Sequence, residues 1–446
     1  MSTHGQSAAA HEIERLLGTF PRGFDLSLDR IRRLLADLGD PQLRIPPVIH
    51  VAGTNGKGSA TAFCRAILEA AGKSVHVHTS PHLVNWHERY RLGRPGGGRL
   101  VSDEVLNEAV LRVEAANAGR TITVFELLTA VTFVLFSEHP ADAAIIEVGL
   151  GGRFDATNVI EHPAVALIMP VALDHQAWLG DRVELIAAEK GGIIKRGHPV
   201  VIGEQREDAA LDVLASIAGR LDAPTSIYGQ DYMAHEEHGR LVYQDEFGLF
   251  DLPLPALPGR HQHANAAAAI RSVRAAGFAI SQDVAEKAMK SVVWPARLQR
   301  LQQGRLLAHA PLGAEIWLDG GHNPHGGRAV AEAMADFEER QAKPLYLVIG
   351  MINTKDPSGY FDAFRGLAVK VFTAPIHDSE AGLDPVVLAD DACGVGLLAE
   401  PVSSVTEALE RINGECAGKP TPPRILIGGS LYFAGNVLAE NGTPPE

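Results

Sequence analysis

The chain has 446 residues, 46% apolar and 21% charged, with a formal net charge of −14, an ordinary globular balance with room for two or three domains. The acidity argues against a nucleic-acid partner held through its phosphates, and no run approaches the ~18 apolar residues of a membrane span. Cys64, Cys393 and Cys416 are odd in number and far apart, which argues against a disulfide framework or cysteine-ligated zinc.

The first twenty residues lack the basic start and apolar core of a secretion signal, so a cytoplasmic setting is expected. PVIHVAG (47–53) then reads as a buried strand. SATAFCRAILEAAG (59–72) reads as the helix after it, with Ser59 near its start and Gly72 as its stop. SVHVHTSPH (74–82) is a second strand, broken by Pro81. AAIIEVGLGG (143–152) and AVALIMPVALDH (164–175) are strands running into loops. This alternation predicts βαβ units and a mainly parallel sheet. Asp181 and Glu184 form a D-x-x-E start signal and Gly191-Gly192 a stop, so a helix is expected over 182–190. Val183, Ile186, Ala187 and Lys190 then share one face, which puts a lysine on an apolar stripe. By spacing alone, a lysine at a helix end snorkels to water.

Composition changes near 222–260, which is rich in Pro and Gly, with strand-like pieces and no helix. After WPARLQRLQQGRL (294–306) the α/β rhythm restarts in AEIWLDGGHNPHGG, PLYLVIGMINTKD, VKVFTAP and PRILIGGSLYFAGNV. The expected architecture is an N-terminal P-loop-type parallel-sheet domain over 1–297. A smaller, Rossmann-like α/β domain follows over 298–446, with a hinge at 294–298.

The turn GTNGKGS (53–59) departs from the G-x-x-x-x-G-K-[ST] pattern. Val51 stands where the first glycine would be, and Gly58 separates Lys57 from Ser59. The physical device is nonetheless complete: a strand, a glycine-rich turn, a lysine and a hydroxyl at a helix start. By itself it says only that a nucleotide binds. At the end of the apolar strand AAIIE, Glu147 points to the crevice where α/β proteins bind ligands.

GTNGKGS also resembles the corresponding loop of the Mur-ligase superfamily, in particular its folate branch, the dihydrofolate synthase / folylpolyglutamate synthase enzymes. The resemblance runs from about Asp25 to Val437. It is carried in order by TSPHLVNWHER (79–89), FELLTAVTF (125–133), EVGLGGRFDATN (147–158), LDHQAWLG (173–180), EKGGIIK (189–195), GRHQHANAAAA (259–269), WPARL (294–298), DGGHNP (319–324) and GGSLYFAGNV (428–437). It implies an ATP- and Mg²⁺-dependent ligase that adds L-glutamate to dihydropteroate, to the γ-carboxylate of folates, or to both, through an acyl phosphate.

The resemblance also assigns roles. Thr54, Asn55, Gly56, Lys57, Gly58 and Ser59 would hold the phosphates. Asn265, which it places at a helix start, would contact adenine, and Arg297 and Asp319 would reach the nucleotide. Two Mg²⁺ sites would draw on Ser59, Ser80, Glu147, His175 and Lys190, the last as a carbamate. His322 would serve where glutamate is held, and Lys57, Lys190 and His322 would act in catalysis. Asp25, Leu28, Arg30, Thr123, Phe125, Glu126, Phe154, Asp155 and Ala156 would bind the pterin. The partners implied are small molecules, with no nucleic acid or membrane, acting on a monomer. Three Gly/Ala exchanges depart from the usual family blocks: EKGGI for EKAGI, PAR for PGR at 295–297, and DGGHNP for DGAHNP. The competing readings are a Mur-type ligase of a cell-wall peptide precursor and a nucleotide-binding regulator without ligase activity.

Overall fold

The computed structural model describes residues 7–21, 27–377, 379 and 381–446. Two compact units emerge. The first runs to Pro255 and takes in His263–Val292; the second holds Ala256–Gln262 and Val293–Pro445. The main run of the second unit thus begins five residues before the expected 298, and the unit also includes a short earlier piece at the end of the Pro- and Gly-rich segment.

The first unit is built on an eight-stranded sheet of β1 (Val48–Ala52), β2 (Val75–His78), β3 (Tyr90–Leu92), β4 (Arg99–Leu100), β5 (Ala143–Glu147), β6 (Val165–Ile168), β7 (Val200–Ile202) and β8 (Thr225–Ile227). The order is β4-β3-β2-β5-β1-β6-β7-β8. All pairings are parallel except β2 with β3 and β3 with β4. Every residue of β1, β2, β5, β6 and β7 is buried, as expected when helices cover both faces of a parallel sheet. The helix Val124–Glu138 is itself buried almost all round, so its apolar sequence lacks a polar stripe.

The Pro- and Gly-rich segment forms β9 (Tyr232–Glu237), β10 (Arg240–Asp245) and β11 (Gly248–Pro253), an antiparallel three-stranded sheet. In the second unit, β12 (Gln299–Leu301), β13 (Glu315–Leu318), β14 (Leu345–Ile349), β15 (Ala368–Thr373), β16 (Ala399–Pro401) and β17 (Arg424–Gly428) make a six-stranded sheet. Its order is β12-β13-β17-β14-β15-β16, parallel except for β12. The chain is therefore α/β in both units. No helix among the described residues is long and apolar enough to cross a membrane.

Two boundaries differ from the sequence reading. The first helix of the nucleotide loop is Lys57–Ala70, two residues earlier than expected, because the loop turns into the helix at Gly56 itself. The later helix is Val183–Gly191, capped by Arg182 in extended conformation with no side-chain cap bond. The expected capping box does not form: the Glu184 carboxylate instead takes a 2.9 Å hydrogen bond from Arg182 Nη2.

Candidate active site

β1, flanked by β5 and β6, brings three strand ends to one edge of the sheet. Val51 pairs with Glu147 and Ala52 with Ile168. The loop after β1 is tied to the loop after β6. The Thr54 and Asn55 N–H groups donate to the Pro170 carbonyl at 2.8 and 3.2 Å, and the Thr54 hydroxyl donates to the Ala172 carbonyl at 3.0 Å. Gly56 caps the helix at φ 81° with no side-chain cap bond, and a helix start of this kind is where an anion fits. A Cβ at Gly56 would lie 2.8 Å from Asn265 Oδ1, so this turn requires glycine both for its φ and for its close approach to Asn265. Lys57 Nζ donates to the Gly53 carbonyl at 3.1 Å and lies 4.0 Å from Glu147 Oε1.

Ser59, Glu147 and Asp174 are all buried. Ser80 follows β2, the strand beside β5, and His175 follows β6, so Ser59, Ser80, Glu147 and His175 come from four adjacent strand ends. His175 adopts φ 51° and its side chain is 42% exposed, with Nε2 4.0 Å from Asp174 Oδ1. Oxygen donors from a hydroxyl and carboxylates fit a hard divalent cation. Among the described residues no group of three or more His, Cys, Asp or Glu side chains is arranged to hold a metal ion, so a cation here would also need hydroxyls, water or phosphate oxygens.

Lys190 is only 5% exposed. It does not snorkel to water, contrary to the expectation from spacing. The loop 149–155 closes over the end of its helix: a Cβ at Gly152 would lie 2.7 Å from the Glu189 carbonyl oxygen and 3.0 Å from Lys190 Cα, and Arg153 N–H donates to that carbonyl at 2.8 Å. Burial, reinforced by the charge of Lys57 and opposed by those of Asp174, Asp155 and Glu189, pushes the Lys190 pKa down to about 7. Asp174 is a buried neighbour that the sequence reading gave no ligand role. Only its position next to His175 marked it.

The residues expected around the pterin fall into two groups. Thr123 and Glu126 form a capping box at the start of helix Val124–Glu138. Glu126 Oε2 accepts from Thr123 N–H at 2.8 Å, from the Thr123 hydroxyl at 2.8 Å and from Arg30 Nε at 3.1 Å. Glu126 Oε1 is buried with no hydrogen-bond partner. Phe125 is half-buried, with its ring against the backbone of Gly149. Leu28 lies at the start of helix Asp29–Asp37 and packs on the core under helix Val124–Glu138. Phe154 is half-buried under the Arg153 guanidinium, and Ala156 opens the turn Ala156–Val159. Asp155 is buried, and its carboxylate is occupied by its own loop: it accepts from the N–H groups of Gly149, Leu150 and Thr157 and from the Thr157 hydroxyl, at 2.5–3.1 Å. Asp25 lies outside the described residues.

Asn265 is buried in the second turn of helix His261–Ala275. It neither starts nor caps that helix. In the second unit, Asp319 follows β13 and is buried. It accepts from Leu298 N–H at 2.9 Å and Gly321 N–H at 2.7 Å, and burial pushes its pKa up while the Arg297 charge pulls it down. Arg297 Nη1 donates to the Ala296 carbonyl at 2.8 Å. Ala296 and Leu298 sit at φ 54° and 42°, a backbone that costs a non-glycine residue roughly 1 kcal/mol or more. The alanine in PAR thus occupies a left-handed position where glycine, usual in the resembling sequences, is at ease. His322 Nδ1–H donates to the Gly320 carbonyl at 3.0 Å.

No protein-family model matches the chain. Curated relatives do. The folylpolyglutamate synthase of Lacticaseibacillus casei is 33% identical over 425 residues, covering 92% of each chain. The dihydrofolate synthase/folylpolyglutamate synthase of Bacillus subtilis is 31% identical over 437 residues, covering 94% of this chain and 96% of its own. Among solved structures, E. coli FolC in complex with DHPP and ADP superposes with a TM-score of 0.84 at 28% identity, covering 98% of both chains. Mycobacterium tuberculosis folylpolyglutamate synthase complexed with ADP gives 0.85 at 29% identity, covering 98% of this chain and 99% of the other. A Yersinia pestis bifunctional folylpolyglutamate synthase/dihydrofolate synthase complexed with AMPPNP and Mn ion gives 0.82 at 28% identity, covering 98% and 99%. With identity above 30% sustained over nine-tenths of its length, the chain belongs to the folylpolyglutamate synthase/dihydrofolate synthase family.

Proposed function

We propose that this protein is an ATP-dependent carboxylate–amine ligase that joins L-glutamate to dihydropteroate, to the γ-carboxylate of a folate, or to both. The observation that carries the reading is the buried Lys190 amine, set among Lys57, Asp174 and Asp155 beside a nucleotide loop. A nucleotide-binding regulator has no need of that arrangement. In the proposed reaction a carboxylate oxygen of the pterin substrate attacks the γ-phosphorus of ATP and ADP leaves. The glutamate amine then attacks the acyl carbon, loses a proton, and expels phosphate. Lys57 and the first turn of helix Lys57–Ala70 hold the phosphates.

Ser59, Ser80, Glu147, His175 and Lys190 as a carbamate would hold divalent cations, which would neutralise phosphate charge. By resemblance, Asn265, Arg297 and Asp319 are assigned to the nucleotide, and His322 to the amino acid. The test of the whole reading is phosphate release from ATP with dihydropteroate plus glutamate, with tetrahydrofolate plus glutamate, and with a muramyl-peptide precursor plus an amino acid, followed by product masses. Release in neither folate reaction overturns it. Release only with the muramyl precursor favours the cell-wall ligase.

Glu126 gives the pterin site its chemistry. A buried carboxylate oxygen without a partner is an acceptor looking for N–H donors, and a pterin's amino-pyrimidinone edge offers two. Phe125 and Phe154 would flank the flat ring. Glu126→Gln is expected to raise KM for dihydropteroate by about 10- to 150-fold, from the ~1.5–3 kcal/mol of a hydrogen bond to a charged group, with kcat changed far less. An unchanged KM in steady-state assays removes Glu126 from the substrate pocket.

Glu147→Gln swaps a charged oxygen ligand for a neutral one of equal size. The half-saturating Mg²⁺ concentration is expected to rise by roughly tenfold or more, with the thermal midpoint nearly unchanged. An identical Mg²⁺ titration would exclude Glu147 from cation binding.

A further inference from the structure

The loop after β6 leads to Asp174 and His175, and its first residues are held from two sides. On one side lies the nucleotide loop. The Thr54 hydroxyl bonds to Ala172 both ways: it donates to the Ala172 carbonyl at 3.0 Å and accepts the Ala172 N–H at 3.1 Å. Met169 fills the space that two glycines leave open. A Cβ at Gly53 would lie 2.6 Å from Met169 Cβ, and one at Gly56 would lie 3.2 Å from Met169 Cε. On the other side stands Gln205, half-buried just beyond β7. Its Oε1 accepts the Val171 N–H at 2.9 Å, and its Nε2 donates to the Gly203 carbonyl at 3.1 Å and, at 3.5 Å, to the Met169 carbonyl. Gln205 belongs to none of the family-like sequence blocks.

The chemistry of that place asks for an amide. Val171 presents a donor, Met169 and Gly203 present acceptors, and an amide supplies an acceptor and two donors from one planar group. The backbone of residues 169–172 is therefore clamped between Gln205 and Thr54. The same short stretch offers the Pro170 carbonyl to the Thr54 and Asn55 N–H groups and runs directly into Asp174 and His175. A segment fixed in advance need not be ordered when a ligand binds, and affinity gains accordingly. We infer that Gln205 is a positioning residue for nucleotide and cation, acting through residues 169–172 on the nucleotide loop and on His175. The inference rests on the reading of residues 53–59 as a nucleotide loop.

The test titrates Mg²⁺–ADP calorimetrically into the full chain as wild type, Gln205→Met and Gln205→Glu, with thermal midpoints read in the absence of nucleotide. Gln205→Met keeps the length of the side chain and loses its hydrogen bonds. Its Kd for Mg²⁺–ADP is expected to rise about tenfold, as for the outer partners of a metal site, while KM for dihydropteroate stays unchanged. Gln205→Glu keeps an acceptor for the Val171 N–H but turns a second oxygen toward the Met169 and Gly203 carbonyls. It should also bind Mg²⁺–ADP more weakly, and this arm stands even if Gln205→Met folds poorly. Because Thr54 holds the same segment, the double variant Gln205→Met, Thr54→Val should lose less affinity than the product of the two single losses. A wild type that does not bind Mg²⁺–ADP removes the nucleotide reading itself. Where the wild type binds, wild-type affinity in a folded Gln205 variant makes Gln205 a brace of the fold and overturns the inference alone. A matching rise in KM for dihydropteroate, or a double variant whose loss equals the product of the single ones, overturns it as well.

Discussion

Lys57→Ala is expected to lower kcat by ~10²–10³, the usual effect of deleting a preorganised group that meets charge growing on a transferring phosphoryl group. In the structure the ammonium rests on the Gly53 and Thr54 carbonyls and lies 4.0 Å from Glu147. It is therefore held at the end of β1 by the loop's own carbonyls, and positioning it costs little at the moment of reaction. Because those contacts also brace the loop, a loss of nucleotide affinity should accompany the loss of rate. The two are separated by titrating ADP calorimetrically and measuring single-turnover formation of product at saturating ATP. A variant that binds ADP less well yet reaches the wild-type single-turnover rate would leave Lys57 a loop brace and nothing more.

Much of this arrangement was legible in the sequence because it depends on local rules. The apolar runs at 47–53, 143–147 and 164–168 could only be strands covered on both faces, and the glycines after the first of them could only open a tight turn. Glu147 was legible for the same reason, as a carboxylate at the end of an apolar run. What local rules missed was set by tertiary packing. The capping box at Asp181 and Glu184 failed because Arg182 took the extended cap position and captured Glu184. Asn265 was given a helix start that belongs to His261. The Asp155 carboxylate accepts from four donors of its own loop. No periodicity encodes such a loop-internal network. Lys190 is the clearest case. Spacing put it correctly on the apolar stripe, but only the loop closing over the helix end through Gly152 decides that it stays buried.

That burial leads to the second large effect. Lys190→Ala is expected to be nearly inactive, with kcat down by at least ~10², because the amine is proposed to be the attachment point of a carbamate. A lysine with its pKa lowered to about 7 is about half neutral at pH 7 and increasingly so above it, and the neutral nitrogen can attack CO₂: an N–C bond forms, one proton leaves, and an anionic carbamate results. An ammonium at this position would repel cations and add to the charge of Lys57. A carbamate would be a carboxylate on a long arm, placed within the field of Asp174 and Lys57. Its negative charge beside buried Asp174 and Asp155 would need compensation from Lys57 and a divalent cation, so carbamate formation and cation binding should reinforce one another. Three measurements follow. Short-chain carboxylates should partly rescue Lys190→Ala, because they restore the missing oxygens. Enzyme equilibrated with ¹³C-bicarbonate should show a carbamate carbonyl resonance that is absent from Lys190→Ala. That resonance should grow when Mg²⁺ and ADP are added. A fully active Lys190→Ala, or wild-type enzyme with no carbamate resonance under conditions where it turns over, would make Lys190 a buried amine with a structural role only.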